Sequence, residues 1–167
     1  MKIKVLFFLL FCSGVIFSQV ITVTPDFPSE NDSIKITVNI QNATRKDLLS
    51  YTGDLYTHTG VTTTAKWQNV IGSWGNNATQ PRLTRTGTDL YELVIGRPHT
   101  FYNVSSTVKI TELCFVFRSA DGSKQTEDLF VKLYDMGLNI RITSPALVPV
   151  FAKLPELIPV EATGRHA

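Results

Sequence analysis

The chain has 167 residues, enough for one domain with additional segments, and 43% of them are hydrophobic. Its formal charge of +2 comes from Lys2 and Lys4, since the first 18 residues hold no acid and the other 149 carry 14 basic and 14 acidic side chains. That balance gives no basic excess on which nucleic acid or an anionic membrane would dock.

Met1 to Ser18 reads as a cleaved secretion signal. Lys2 and Lys4 open it, Val5 to Cys12 is an unbroken apolar run, and Ser18 offers a small residue before Gln19. The run is too short for a membrane span, so the mature chain is expected to be secreted or held at the cell surface. Cys12 leaves with the signal. Cys114 then stands alone in Leu113-Cys-Phe-Val-Phe117, which predicts a buried thiol acting as a small hydrophobe.

From Val20 the pattern is strand after strand. Val20 to Thr24 comes first, and Ser33 to Ile40 alternates apolar and polar residues with period two. Asp54 to His58 is the third strand, and a short one is expected over Trp67 to Val70. Arg82 to Arg85 and Leu90 to Ile95 flank a hairpin turn at Thr86-Gly-Thr-Asp89. Val108 to Arg118 is a long strand with an apolar centre. A turn at Asp121-Gly122 returns the chain through Asp128 to Tyr134. Arg45 to Leu49 is expected to make one helical turn. Seven to nine short strands predict an all-β fold, a two-sheet antiparallel sandwich over residues 19–136.

Residues 137–167 differ in character. Gly137 leads into a strand, and Pro145, Pro149, Pro155 and Pro159 then interrupt an apolar stretch. The segment reads as a linker or as the start of a second sandwich, and the chain as a fragment of a longer modular protein.

Chemistry concentrates between Tyr51 and Trp74, where tryptophans follow Tyr51-Thr-Gly-Asp-Leu-Tyr-Thr-His-Thr-Gly60. Flat side chains among polar neighbours suit a sugar, whose apolar face stacks on a ring while its hydroxyls take hydrogen bonds. Trp67 has polar neighbours in Lys66, Gln68 and Asn69. Trp74 sits in the loop-like Gly72-Ser-Trp-Gly-Asn-Asn77, where Asn76 reads as a turn former or a hydroxyl contact. Tyr56 and His58 alternate with Thr57 and should share a face. Each has a plainer reading: tryptophan and tyrosine fill sandwich cores, and a lone histidine on a strand usually makes structural hydrogen bonds. Tyr91 reads as core, and Arg118 and Lys124 as solvated residues beside a turn.

Catalytic motifs are lacking. The acids are scattered singly, mostly at turns and edges, and the adjacent Glu127 and Asp128 would point to opposite faces of a strand, unlike the paired carboxylates of a glycosidase. No Gly-x-Ser-x-Gly elbow and no phosphate-binding glycine loop occurs. Three histidines, one near the carboxyl terminus, argue against zinc. The chain is expected to be no enzyme and to need no cofactor or metal.

The stretch Tyr51 to Val61, Trp67 and Trp74-Gly-Asn76, together with Leu83-Thr-Arg85, Phe101-Tyr102 and Phe115 to Lys124, resembles the amino-terminal modules of secreted α-amylase-superfamily glycosidases from Bacteroidetes. The layout is similar to that of family 26 starch-binding modules. The resemblance covers about Val20 to Tyr134. It implies an immunoglobulin-like sandwich that docks an enzyme on α-glucan, with a second sandwich and a catalytic barrel beyond residue 167. It also implies that Trp67 supplies one stacking surface. Thr59 stands where such modules carry a tyrosine, so Tyr56 or Trp74 would supply the second, with His58 and Asn76 as polar partners. Two alternatives remain: a structural immunoglobulin-like spacer that binds no sugar, and a protein-adhesion sandwich. Exposure of the tryptophans separates them.

Overall fold

The computed structural model describes residues 19–145 and 157–166, so the expected signal segment lies outside the described residues. The fold is all-β and antiparallel. One sheet contains β1 (Ile21–Thr24), β2 (Ile34–Asn39), β4 (Thr84–Gly87) and β5 (Leu90–Gly96), in the order β1-β2-β5-β4. The other contains β3 (Leu55–Thr62), β6 (Glu112–Ser119) and β7 (Leu129–Lys132), in the order β3-β6-β7.

The alternation in β2 makes it a central strand: Ile34, Ile36 and Val38 are fully buried, and the polar residues between them are half-buried. The opposing sheet contributes Leu55 and Val61 from β3 and Leu113, Phe115 and Phe117 from β6 to the same core. Tyr91 and Cys114 are buried, as their apolar surroundings predict.

β3 and β6 pair over their whole lengths, from Leu55 opposite Ser119 to Thr62 opposite Glu112. Leu55, Thr57, Thr59 and Val61 are therefore buried, while Tyr56, His58 and Thr62 are half-buried on the outer face. The core tolerates the two threonines because each is satisfied. The Thr59 hydroxyl donates to the Cys114 carbonyl at 2.8 Å and lies 2.7 Å from the Tyr102 hydroxyl.

Several local expectations are corrected. Residues 67–70 form no strand, and a single bridge joins Gln68 to Val61. The long strand begins at Glu112 rather than Val108: residues 106–108 form a turn, and regular pairing with β3 starts only at Glu112. Residues 45–49 hold a non-helical turn. The short helical turns lie instead at Ile40–Asn42, where the Asn39 side chain accepts the Gln41 amide, and at Pro98–Phe101 (α1), where Pro98 presets the first helical position. No helix among the described residues is long and apolar enough to cross a membrane.

Beyond the sandwich, β8 (Leu138–Ser144) pairs with β9 (Glu161–His166) in a two-stranded antiparallel ribbon. Two strands hold together weakly on their own. This ribbon is fastened to the sandwich by Arg165, which donates to both carboxylate oxygens of Asp32 at 2.7 and 2.9 Å. The Arg141 guanidinium also lies 4.9 Å from the centre of the Phe27 ring.

The hydrogen bond from Arg165 holds the Asp32 carboxyl well below its ordinary value of 3.8, and the Ser29 amide and hydroxyl assist against the cost of burial. A lowered carboxyl pKa means that the pair stabilises fully above about pH 4 and weakens only as the pH falls further. Asp32→Asn should speed amide exchange in β8 and β9 roughly tenfold or more at pH 7, leaving β2, β5 and β6 unchanged. Hydrogen exchange read by mass spectrometry checks this, and equal exchange in the ribbon would remove the anchor from the account.

Candidate functional site

The outer face of the β3-β6-β7 sheet carries Tyr56 and His58 from β3, Val116 and Arg118 from β6, and Phe130 from β7. The chain between β3 and β4 folds back along the free edge of β3. Its first part is tied by Val61 and Gln68, which exchange backbone hydrogen bonds at 2.8 Å, and by the Ile71 amide donating to the Thr59 carbonyl. Its last part is tied by the Thr57 amide to the Pro81 carbonyl and by the Leu83 amide to the Leu55 carbonyl. Residues 72–80 are left to arch outward.

This double attachment brings both tryptophans to one histidine. The ring centres of Trp67 and Trp74 each lie 5.4 Å from that of His58, at interplanar angles of 31° and 68°. Trp67 also meets the edge of Phe130 at 6.2 Å, and the Lys66 ammonium stands 3.6 Å from the Phe130 ring centre. Trp74 is 46% exposed and Trp67 half-buried, so neither belongs to the core. The four rings form a connected surface in the order Phe130, Trp67, His58, Trp74.

Local sequence explains the placement. Gly60 faces outward between His58 and Thr62, and a Cβ there would stand 2.8 Å from the Gln68 carbonyl oxygen and 3.0 Å from Val70 Cγ2. Only glycine lets the returning chain lie so close. Trp67 itself adopts a left-handed backbone with φ of 61°. A bulky side chain there costs about 1–2 kcal/mol, and such strain clusters where function requires a fixed geometry.

The arch is shaped by Asn76, whose side chain accepts the Ala78 amide and whose carbonyl accepts the Gln80 amide. Asn77 ties it to the β6–β7 turn by donating to the Ala120 carbonyl at 3.0 Å. In that turn Gly122 has φ of 72°, and a Cβ would sit 3.1 Å from the Trp74 indole nitrogen. Asn76 is thus engaged in forming the turn that presents Trp74. Thr59 points into the core, so position 59 offers nothing to a ligand on this surface.

Two residues here were not legible from the sequence as site residues. Arg118, expected to be solvated, is fully buried. Its register opposite Tyr56 places it on the outer face, and the Trp74 arch then covers it. The guanidinium carbon lies 5.3 Å from the Tyr56 ring centre and 5.9 Å from that of Trp74. Arg118 donates through Nε to Gln80 Oε1 at 2.6 Å and through Nη1 to the carbonyls of Ser119 and Ala120. Nη2 has no hydrogen-bond partner among the described residues. Gln80, also buried, contacts His58 Nδ1 at 2.8 Å. Burial, and secondly the Arg118 charge, hold the His58 pKa below 6.5, with Asp128 opposing.

Two cavities lie apart from the tryptophans. One, of about 520 Å³, runs between the edges of β1 and β7 and reaches Phe130, and the other, of about 430 Å³, lies beside Arg82 and Tyr91. Among the described residues no three His, Cys, Asp or Glu side chains gather as a metal site. The chain matches no protein-family model and no curated protein sequence.

The crossing at Gly60 is directly testable. Gly60→Ala should lower stability by about 1–3 kcal/mol, because the crowding atom is backbone and cannot rotate away. It should also change Trp67 emission. Thermal unfolding and tryptophan fluorescence check both, and an unchanged protein would show that the return does not depend on close approach.

Proposed function

We propose that this chain is a non-catalytic α-glucan-binding module that holds an attached secreted glycosidase on its polysaccharide. One observation carries the reading: two tryptophans from a single loop, neither in the core, flank His58 on the outer face of a rigid sheet. A glucan needs flat apolar surfaces set at an angle, because its chain curves, together with a polar group between them. The 31° and 68° tilts of the two indoles against the imidazole supply that arrangement. Each stacked ring would contribute on the order of 1 kcal/mol. Tethering to a catalytic domain of the same polypeptide would multiply so modest an affinity through effective concentration.

The sandwich is further read as immunoglobulin-like, a reading supported by the strand orders β1-β2-β5-β4 and β3-β6-β7. They correspond to the ABED and CFG sheets of the constant-domain arrangement. The first 18 residues are read as an export signal, which makes the module secreted or surface-held. Residues 137–167, which contain the β8–β9 ribbon, are read as a linker or as the start of a second sandwich.

Affinity electrophoresis of the chain through gels containing amylopectin, pullulan, dextran, xylan or no polysaccharide tests the reading. Wild type should be retarded by amylopectin and pullulan and run freely in dextran and xylan. Trp67→Ala and Trp74→Ala should each lose most of the retardation while keeping the wild-type circular dichroism spectrum. Equal mobility of folded wild type in every gel would sink the glucan reading and leave a structural spacer.

A further inference from the structure

The relay beneath the aromatic surface has a direction set by chemistry alone. An arginine side chain only donates hydrogen bonds. The atom of Gln80 that meets Arg118 Nε at 2.6 Å must therefore be the carbonyl oxygen, which turns the amide nitrogen towards His58. An amide nitrogen donates and cannot accept, so His58 Nδ1, 2.8 Å away, must present a lone pair. The imidazole proton is then left to Nε2, which has no protein partner among the described residues.

Arg118 cannot swing aside to release this order. It is fully buried, and its Nη1 is held by the Ser119 and Ala120 carbonyls. Gln80 is buried too, and its backbone N–H donates to the Asn76 carbonyl at 3.1 Å, which holds the residue in place. A flipped Gln80 would oppose two donors at Arg118, and a protonated His58 would oppose two donors at Gln80.

We propose that Arg118 and Gln80 are positioning residues that lock His58 as a neutral imidazole with its proton on Nε2, so that the aromatic surface offers its ligand one fixed hydrogen-bond donor. The lock stands on the geometry of the relay, and its use by a sugar hydroxyl rests on the glucan-binding reading. Charges facing the ring agree with it. Arg118 on β6 disfavours the imidazolium. Asp128, just before β7, favours it, and burial outweighs that pull. Lys66, in the loop, is occupied by the Phe130 ring.

Long-range nitrogen–proton correlation NMR of the chain, with ¹⁵N-labelled histidine, reads the tautomer without any glycan. Wild type at pH 8 should show a bare Nδ1 and a protonated Nε2 for His58, and the ring should titrate below 6.5. Gln80→Glu places a carboxylate that accepts from both Arg118 and His58. The His58 titration should then move upward by about one unit or more, past 6.5. Gln80→Met, which keeps the shape and removes the relay, should give averaged nitrogen shifts from mixed tautomers. A proton on Nδ1 in wild type, averaged shifts in wild type, or a Gln80→Glu titration unmoved from wild type would each overturn the lock. The gels above separate the two ideas: a locked His58 without retardation overturns the glucan reading alone, and retardation with averaged shifts overturns the lock alone.

Discussion

Everything at the candidate site depends on the register between β3 and β6. Eight residues of each strand pair without a bulge, and each strand exposes only every second side chain to either face. A slip of one residue would send Tyr56 and His58 into the core and bring Leu55 and Val61 to the surface. The register is pinned from within by Leu55, Val61, Leu113, Phe115 and Phe117, which share one buried cluster. The core therefore specifies the site: apolar residues on one face decide which polar and aromatic residues share the other.

The strands were largely legible because they obey a period-two rule that needs no knowledge of neighbours. Ser33 to Ile40 and Leu90 to Ile95 alternate plainly, and both are strands close to those limits. What the sequence left hidden was long-range. Residues 67–70 look like a strand, yet their partner is a single point on β3, and left-handed backbones at Trp67 and Asn69 prevent a second. Arg118 looked solvated because it precedes a turn. Its burial follows only from the arch of residues 72–80, which comes from another part of the chain and is anchored by Asn77 at Ala120. The tryptophans and His58 were identifiable by type, but their meeting was not, since it requires both ends of the connection to be fastened to the edge of β3.

Two features of this region run against stability. A guanidinium is withdrawn from water with no carboxylate in contact among the described residues, and a bulky aromatic residue sits in a backbone conformation that favours glycine or asparagine. A sandwich with a well-packed core would be more stable without either. Both costs fall within one aromatic cluster, although Phe27, outside it, also has a left-handed backbone with φ of 51°. Arg118 accounts for part of this cost by what it touches: it meets Tyr56 and Trp74 through their faces and Gln80 through a short, charge-assisted bond.

If the surface binds a glucan as proposed, the same arrangement would let an open surface be selective. A stacking face alone grips flat apolar matter of many kinds, and specificity requires a polar group whose role cannot be reversed. Histidine is a poor choice when free, because its two nitrogens exchange donor and acceptor roles at little cost. Joined through Gln80 to a residue that can only donate, it loses that ambiguity. The buried cation thus acts at a distance of two hydrogen bonds, contributing direction rather than contact. On the proposed reading, placing it beneath the rings would leave Trp67 and Trp74 free to meet a glucan while the charge that orders His58 stays covered.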